Sequence, residues 1–179
     1  LRERPVAVAG DPEGRHGIIL AKNQLAKKYG VKTAETIWQA QRKCPGLILL
    51  PPHMEKYKAI SQQINAIYLD YTDQVEAFSI DESWLDVTGS QHLFGDGRVI
   101  ADMLRRRVRE EIGITISVGM SWNKTFAKMG SDYKKPDATT VITRENVSEL
   151  LYPLPVTDLI FVGESVGTAL AQHGVRTIG

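Results

Sequence analysis

Two adjacent carboxylates, Asp81 and Glu82, stand between two short strand-like runs, and this arrangement limits the fold more than any other feature of the chain. Residues 75–80 form the first run and residues 84–88 the second. Side chains on a regular strand alternate between faces, so neighbours within one strand cannot share a ligand. A turn or strand end between the runs brings both carboxylates to one rim. Two anions held that close repel, and a proton or a cation relieves the repulsion. Oxygen-only ligands favour a hard ion such as Mg²⁺, commonly held by one or two carboxylates plus substrate phosphates. The pair therefore points to a place where Mg²⁺ meets a phosphate-bearing substrate.

Helical patterns surround these runs. Near the start, residues 6–9 and 17–21 are strand-like, with a turn at Gly10-Asp11-Pro12-Glu13-Gly14 between them. A helical pattern runs to Tyr29 and is stopped by Gly30, and another occupies residues 36–43. The apolar run 47–50 ends at Pro51-Pro52, because proline cannot continue a ladder. Tyr57, Ile60, Ile64, Ile67 and Tyr71 recur at three- and four-residue spacing and predict a long helix with one apolar stripe. Asp96 is placed to cap a second amphipathic helix, with Val99, Ile100, Met103, Leu104, Val108 and Ile112 facing inward and Gly113 ending it. Residues 114–118 are rich in β-branched side chains and read as a strand. Residues 123–133 predict a helix and residues 139–142 a closing strand. From residue 143 short helices and turns take over.

Four further segments carry residues suited to phosphate chemistry. Lys135 directly precedes Pro136 at a helix end, and a flexible point charge suits a triphosphate. Gln24-Leu25-Ala26-Lys27 lies on a helix with Lys22 and Lys28 beside it. In Ser117-Val118-Gly119-Met120-Ser121-Trp122-Asn123-Lys124 a strand ends in a glycine turn and a helix opens, with Ser121 a reasonable N-cap and Lys128 four residues beyond Lys124. Val162-Gly163-Glu164-Ser165-Val166-Gly167 has the pattern of a helix-hairpin-helix, which offers backbone N–H groups to a DNA phosphate. Taken singly, the acidic pair and the first three of these have plainer readings: a solvated acidic turn, a lysine favoured by a helix C-terminus, an exposed helix face, simple capping. Their order along the chain decides between the readings. Ser-Ile-Asp-Glu-x-x-Leu-Asp at residues 79–86, followed by Val-Gly-x-Ser-x-Asn-Lys and a lysine before proline, resembles the motif set of the Y-family, or translesion, DNA polymerases. Within that family the resemblance is to the bacterial DNA polymerase IV group and the related mutagenesis-repair proteins, and it spans nearly all 179 residues.

The resemblance implies an α+β fold: a ferredoxin-like palm with a mostly antiparallel sheet and two packing helices, small α/β fingers, and the helical start of a thumb. The fingers are expected at residues 1–53, the palm at 54–142 and the thumb start at 143–179. The first palm strand, with another catalytic Asp and an aromatic steric gate, is expected upstream, and the rest of the thumb and a little finger downstream. The implied reaction is template-directed transfer of nucleotides from dNTPs to a primer 3′-hydroxyl in DNA damage tolerance. Asp81 and Glu82 would be the catalytic residues, holding two Mg²⁺ together with the upstream Asp. Lys135, Lys27 and Gln24 would contact the triphosphate, and Ser121, Asn123, Lys124, Gly163 and Gly167 the DNA backbone. Asp86 is given a structural hydrogen-bonding role. The implied partners are primer-template DNA, dNTPs and a sliding clamp reached through C-terminal sequence beyond the chain. This piece alone is expected to be inactive.

The chain also departs from the pattern. Where the family shows Tyr-x-x-Arg, Gln24 and Lys27 stand, and lysine keeps arginine's charge without its bidentate fork. Phe161 replaces the first glycine of the hairpin turn. Ile18, Leu20 and Ala34 match positions that roof the nascent base pair. Two other classes stay open: a non-catalytic DNA-binding relative or accessory subunit, and a nucleotide cyclase built on a similar palm. The absence of a Gly-Gly-x-x-Phe-type turn disfavours the cyclase.

Composition sets outer bounds. A net charge of +1 confines any basic nucleic-acid surface to a local patch. The single cysteine, Cys44, excludes an internal disulfide and fits a reducing cytoplasm. With no second cysteine or paired histidines, a structural zinc site is disfavoured, and His16, His53, His92 and His173 are assigned no chemistry. No apolar run is long enough to span a bilayer, so no membrane partner is expected. The densest basic run, Arg105, Arg106, Arg107 and Arg109, reads as a solvated helix face, and Trp38 and Trp84 read as core or packing residues.

Overall fold

A computed structural model describes residue 1, residues 3–10 and residues 17–179, in two compact units, Leu1–Tyr57 and Lys58–Gly179. Residues 11–14 of the expected first turn and His16 lie outside the described residues.

The first unit is built on a three-stranded sheet. Strand β1 (Val6–Ala9) lies between β2 (Ile19–Lys22), antiparallel, and β3 (Ile48–Leu50), parallel. Ala7, Ala9 and Ile19 point into a core completed by Ala26, Val31, Ile37, Ala40, Cys44 and Leu47. The alanines let the helices α1 (Gln24–Lys28) and α2 (Ile37–Lys43) approach closely. Asn23 ties α1 to β1: its Oδ1 accepts from the N–H groups of Ala26 (2.9 Å) and Val6 (3.2 Å), and its Nδ2 donates to the carbonyl of Arg4 (2.8 Å). Thr36 and Gln39 close a reciprocal capping box on α2. Trp38 is not a core residue: it is 63% exposed, with the Arg42 guanidinium over its ring at 4.8 Å.

In the second unit, α3 (Met54–Leu69), apart from its first turn, and α5 (Gly97–Arg107) supply the helical layer. Ile67, Tyr71, Ile100, Leu104 and Val108 are buried together, with Ile64, Leu85, Phe94 and Ile112 packed against them. Asp96 caps α5 by accepting from the Val99 N–H at 2.9 Å, and a π-helical turn, Val108–Ile112, extends it to Gly113 in the left-handed conformation. Val99 does not face inward as its spacing suggested; it is 45% exposed and lies against Gly95.

The strands of this unit form two ladders. Strand β4 (Val75–Ala77) pairs antiparallel with β5 (Ser83–Leu85), and β6 (Val118–Met120) pairs parallel with β7 (Thr139–Val141). The expected strand at 114–118 is displaced towards the C-terminus. Only residues 118–120 find a partner ladder, while Ile114 is 41% exposed. A short helix α4 (Gln91–Phe94) precedes α5, and α6 (Lys124–Tyr133) makes the crossover between β6 and β7. Helix α6 rides directly on β6: a Cβ on Gly119 would stand 1.8 Å from the Ala127 carbonyl oxygen and 2.4 Å from the Ser131 nitrogen. Beyond β7, α7 (Val147–Leu150) and α8 (Glu164–Gln172) belong to the C-terminal part, where Met129, Ile142, Val147 and Leu151 form a third core.

The arginine run is a solvated face only in part: Arg106 and Arg109 are exposed, while Arg105 and Arg107 are half-buried. Arg105 reaches Asp137 with Nε (3.2 Å) and Nη2 (2.9 Å) and Asp102 with Nη1 (3.0 Å), and Arg109 donates to the other Asp137 oxygen at 2.9 Å. Arg107 pairs with Asp70 and Glu111, and Arg106 has no such ion pair among the described residues. Positions 105 and 109 are one turn apart, so both guanidinium groups converge on the segment before β7.

Two stability outcomes follow. Hydrogen bonding to Arg105 holds the Asp137 carboxyl below the usual carboxylate range. A lowered folded pKa contributes stability above the unfolded value, about 3.9, that is lost as pH falls through the folded value. The melting temperature of the wild-type protein should therefore fall more steeply below about pH 4 than that of Asp137→Asn. Gly119→Ala should cost about 3 kcal/mol or more in a urea titration, because the clashing atoms are backbone.

Candidate metal and phosphate site

The β4–β5 register, ending at Ala77↔Ser83, leaves residues 78–82 to make the turn. Phe78 N and Ser79 N both donate to the Glu82 carbonyl, at 2.9 and 3.1 Å, and close it. Asp81 projects from the exposed tip and Glu82 stands at the entry to β5. Ser79 Oγ donates to Asp81 Oδ1 at 2.7 Å and orients that carboxylate. The donor set is oxygen-only, which fits a hard divalent cation. Among the described residues no cluster of three His, Cys, Asp or Glu side chains surrounds a common point, so this pair would be an incomplete shell on its own. Asp86 accepts from the Thr88 N–H at 2.9 Å, and hydrogen bonds from the Thr88 side chain and backbone hold its pKa down.

Helix α6 brings a row of charges to the pair. Lys128 is largely covered, and its Nζ lies 2.7 Å from Glu82 Oε1 and 2.5 Å from Asp132 Oδ2. Lys135 Nζ lies 2.8 Å from the other Asp132 oxygen and is more than half exposed. Burial alone would lower the Lys128 ammonium, but hydrogen bonds to Asp132 and Glu82 outweigh it and raise its pKa. Burial likewise pushes the Asp132 carboxyl up, and the two lysines more than reverse that. Glu82, Lys128, Asp132 and Lys135 thus alternate in sign. The i,i+4 relation of Lys128 and Asp132 is visible in the sequence. The meeting with Glu82 across the fold is not, and in the sequence Lys128 stands out only as lying four residues beyond Lys124.

The other expected DNA contacts are differently placed. The N-cap of α6 is Asn123, whose Oδ1 accepts from the Phe126 N–H at 2.8 Å, and not Ser121. Ser121 instead donates its hydroxyl to the Ile142 carbonyl at 3.0 Å. Lys124 pairs with Glu76, and its ammonium sits 5.4 Å from the centre of the Trp84 ring. Trp84 in turn donates its indole N–H to the Lys124 carbonyl at 3.1 Å and packs against Phe78. Gly163 is the N-cap of α8. The Gly167 N–H is already bonded to the Gly163 carbonyl at 2.8 Å, and a Cβ there would meet Thr157 at 2.4 Å. Gly167 therefore serves close packing and has no N–H to offer a phosphate. Phe161 is 80% exposed and held at φ +68°, a left-handed conformation that costs a non-glycine residue about 1–2 kcal/mol.

Within the first unit, Gln24 and Lys27 are both exposed, three residues apart on α1. Ile18, Leu20 and Ala34 are exposed as well, and Ala34 has a φ of +67°.

A family profile described as the impB/mucB/samB family matches residues 1–132. The chain belongs to that family. It is 53% identical over its whole length to a protein of Acetivibrio thermocellus named DNA polymerase IV, covering 45% of that protein. It is 43% identical to DNA polymerase IV 2 of Bacillus subtilis, all of the chain aligning with 44% of that protein. Among solved structures, DinB from Sulfolobus solfataricus matches with a TM-score of 0.87 at 28% identity, over 98% of this chain and 52% of that one. An insertion ternary complex of Dbh DNA polymerase matches at 0.88 and 28%, with the same coverage. The chain spans about half the length of the curated relatives it matches. The Y-family resemblance and the α+β fold read from the motifs both hold.

Since Asn123 and not Ser121 closes the first turn of α6, Asn123→Ala should lower stability by about 1 kcal/mol, measured by urea denaturation. The helix content of the variant should stay unchanged in circular dichroism.

Proposed function

We propose that the protein containing this chain is a DNA-directed DNA polymerase of the translesion type, extending a primer on damaged templates in the cytoplasm. The observation that carries this reading is the meeting of the Asp81–Glu82 turn with the Lys128–Asp132–Lys135 row in a chain of this family. Asp81 and Glu82 would hold two Mg²⁺ ions together with an Asp on a strand preceding β1. Such ions supply an activated 3′-hydroxyl and neutralise charge on the leaving oxygens of an in-line displacement. Asp81 is oriented for this by Ser79, and Glu82 by the turn that its own carbonyl closes. Lys135, exposed and, among the described residues, ion-paired with Asp132, is available to a triphosphate, and the exposed Lys27 and Gln24 would add contacts from the fingers. Lys124 and the α8 hairpin at Gly163 would lie along the DNA backbone. Fingers, palm and thumb at residues 1–53, 54–142 and 143–179 are the division this reading assigns, and a sliding clamp is the further partner it allows.

Primer extension by the full-length protein tests the reading, on undamaged and damaged templates with Mg²⁺ and dNTPs. Extension should be slow and of low processivity. Asp81→Ala and Glu82→Ala should each abolish or sharply reduce it while DNA binding and melting temperature persist. A folded wild-type protein that extends no template would leave the non-catalytic, DNA-binding alternative. In single-nucleotide kinetics, Lys27→Ala should raise KM by the equivalent of about 1.5–3 kcal/mol, the worth of a hydrogen bond to a charged group, with Lys28→Ala near wild type. Equal, negligible effects in both would remove Lys27 from the triphosphate site.

A further inference from the structure

We infer that Lys128 is a positioning residue that couples the Asp81–Glu82 metal site to the phosphate lysine, Lys135, through Asp132. The inference rests on the polymerase reading. Lys128 divides one ammonium between two acids, Glu82 Oε1 at 2.7 Å and Asp132 Oδ2 at 2.5 Å. Asp132 divides its carboxylate between two lysines, with Lys135 on Oδ1 at 2.8 Å. The side chain of Lys128 is only 18% exposed, against 56% for Lys135, so the inner lysine is fixed and the outer one is free to leave. The close seat of α6 on β6 at Gly119 keeps Lys128 beside the β4–β5 turn.

A divalent cation on Glu82 competes with the ammonium that already occupies that carboxylate, because the two cations repel at such a distance. Lys128 then commits its charge to Asp132. Asp132, now fully matched by Lys128, holds Lys135 less strongly and releases it to an incoming phosphate. Metal binding at one end of the row thereby arms the lysine at the other. The coupling is reciprocal, as any linkage of two binding equilibria must be.

Two variants of the full-length protein should move in opposite directions, which general damage to the site does not do. In Lys128→Met, Glu82 loses its competing cation, so Mn²⁺ binding without nucleotide, followed by electron paramagnetic resonance, should tighten at least fivefold. Asp132 is then left to Lys135 alone, and KM for the incoming nucleotide at saturating metal should rise at least fivefold with kcat within twofold. In Asp132→Asn, Lys128 falls wholly to Glu82, so Mn²⁺ binding should weaken at least threefold, while KM does not rise because Lys135 has lost its acid. Lys128→Arg should restore Mn²⁺ affinity and KM to within twofold of wild type. An extending enzyme in which both variants shift Mn²⁺ affinity in the same direction, or not at all, overturns the coupling alone. A wild-type protein that neither binds Mn²⁺ nor extends a primer overturns it together with the polymerase reading.

Discussion

The direct seat of helix α6 on strand β6 at Gly119 governs where most of the charged groups of the second unit stand. With no side chain between them, the helix backbone itself is the packing surface, and the rotation of the helix about its axis is fixed by that contact. Met129 and Gly130 are thereby turned into the core, with Phe126 packed against it. Lys124, Lys128 and Asp132, spaced by four, are turned to one side together, and Lys135 follows where the helix ends. A protein of nearly balanced charge can in this way assemble a local row of alternating sign without any net basic surface. The site is less a patch of charge than a sequence of matched pairs, each of which a ligand must break.

What was legible in the sequence was local. The apolar stripe of α3, the Asp96 cap of α5 and the Thr36 start of α2 depend on residues within a turn or two, and each stands where its pattern predicted. The acidic pair between two strand runs was legible for the same reason, since a short antiparallel ladder is closed by its own turn. Illegible features depend on partners far along the chain. The β-branched run at 114–118 has the composition of a strand, but the ladder forms only where β7 is available to pair. Ser121 has the chemistry of a cap, yet the Ile142 carbonyl claims its hydroxyl and leaves the task to Asn123. Arg105 and Arg109 look like solvent-facing charges until Asp137 is brought up against them. The link from Lys128 to Glu82 joins a helix to a hairpin and leaves no periodicity to read.

The departures from the family pattern fall on surfaces and not in the core. Gln24 and Lys27 are exposed on α1, while the small buried residues beneath them keep the scaffold of the first unit intact. Phe161 occupies a left-handed backbone position that suits glycine, and its ring meets Phe78 edge-on at 6.2 Å. The strain is therefore set beside an aromatic contact that partly offsets it, a pairing absent if glycine stood there.

The division of the second unit into two narrow ladders bears on how it behaves among other chains. Among the described residues each of these strands is paired on one side only, and such a strand presents its remaining N–H and C=O groups as a template for a further strand. Along β5 those groups flank Ser83, Trp84 and Leu85, and along β6 they flank Val118, Gly119 and Met120, with neither a charge nor a proline to discourage pairing. Such edges select partners by backbone geometry and not by sequence. Any further strand and the strand of a neighbouring copy compete for the same groups, so whichever covers an edge first also shields it from self-association.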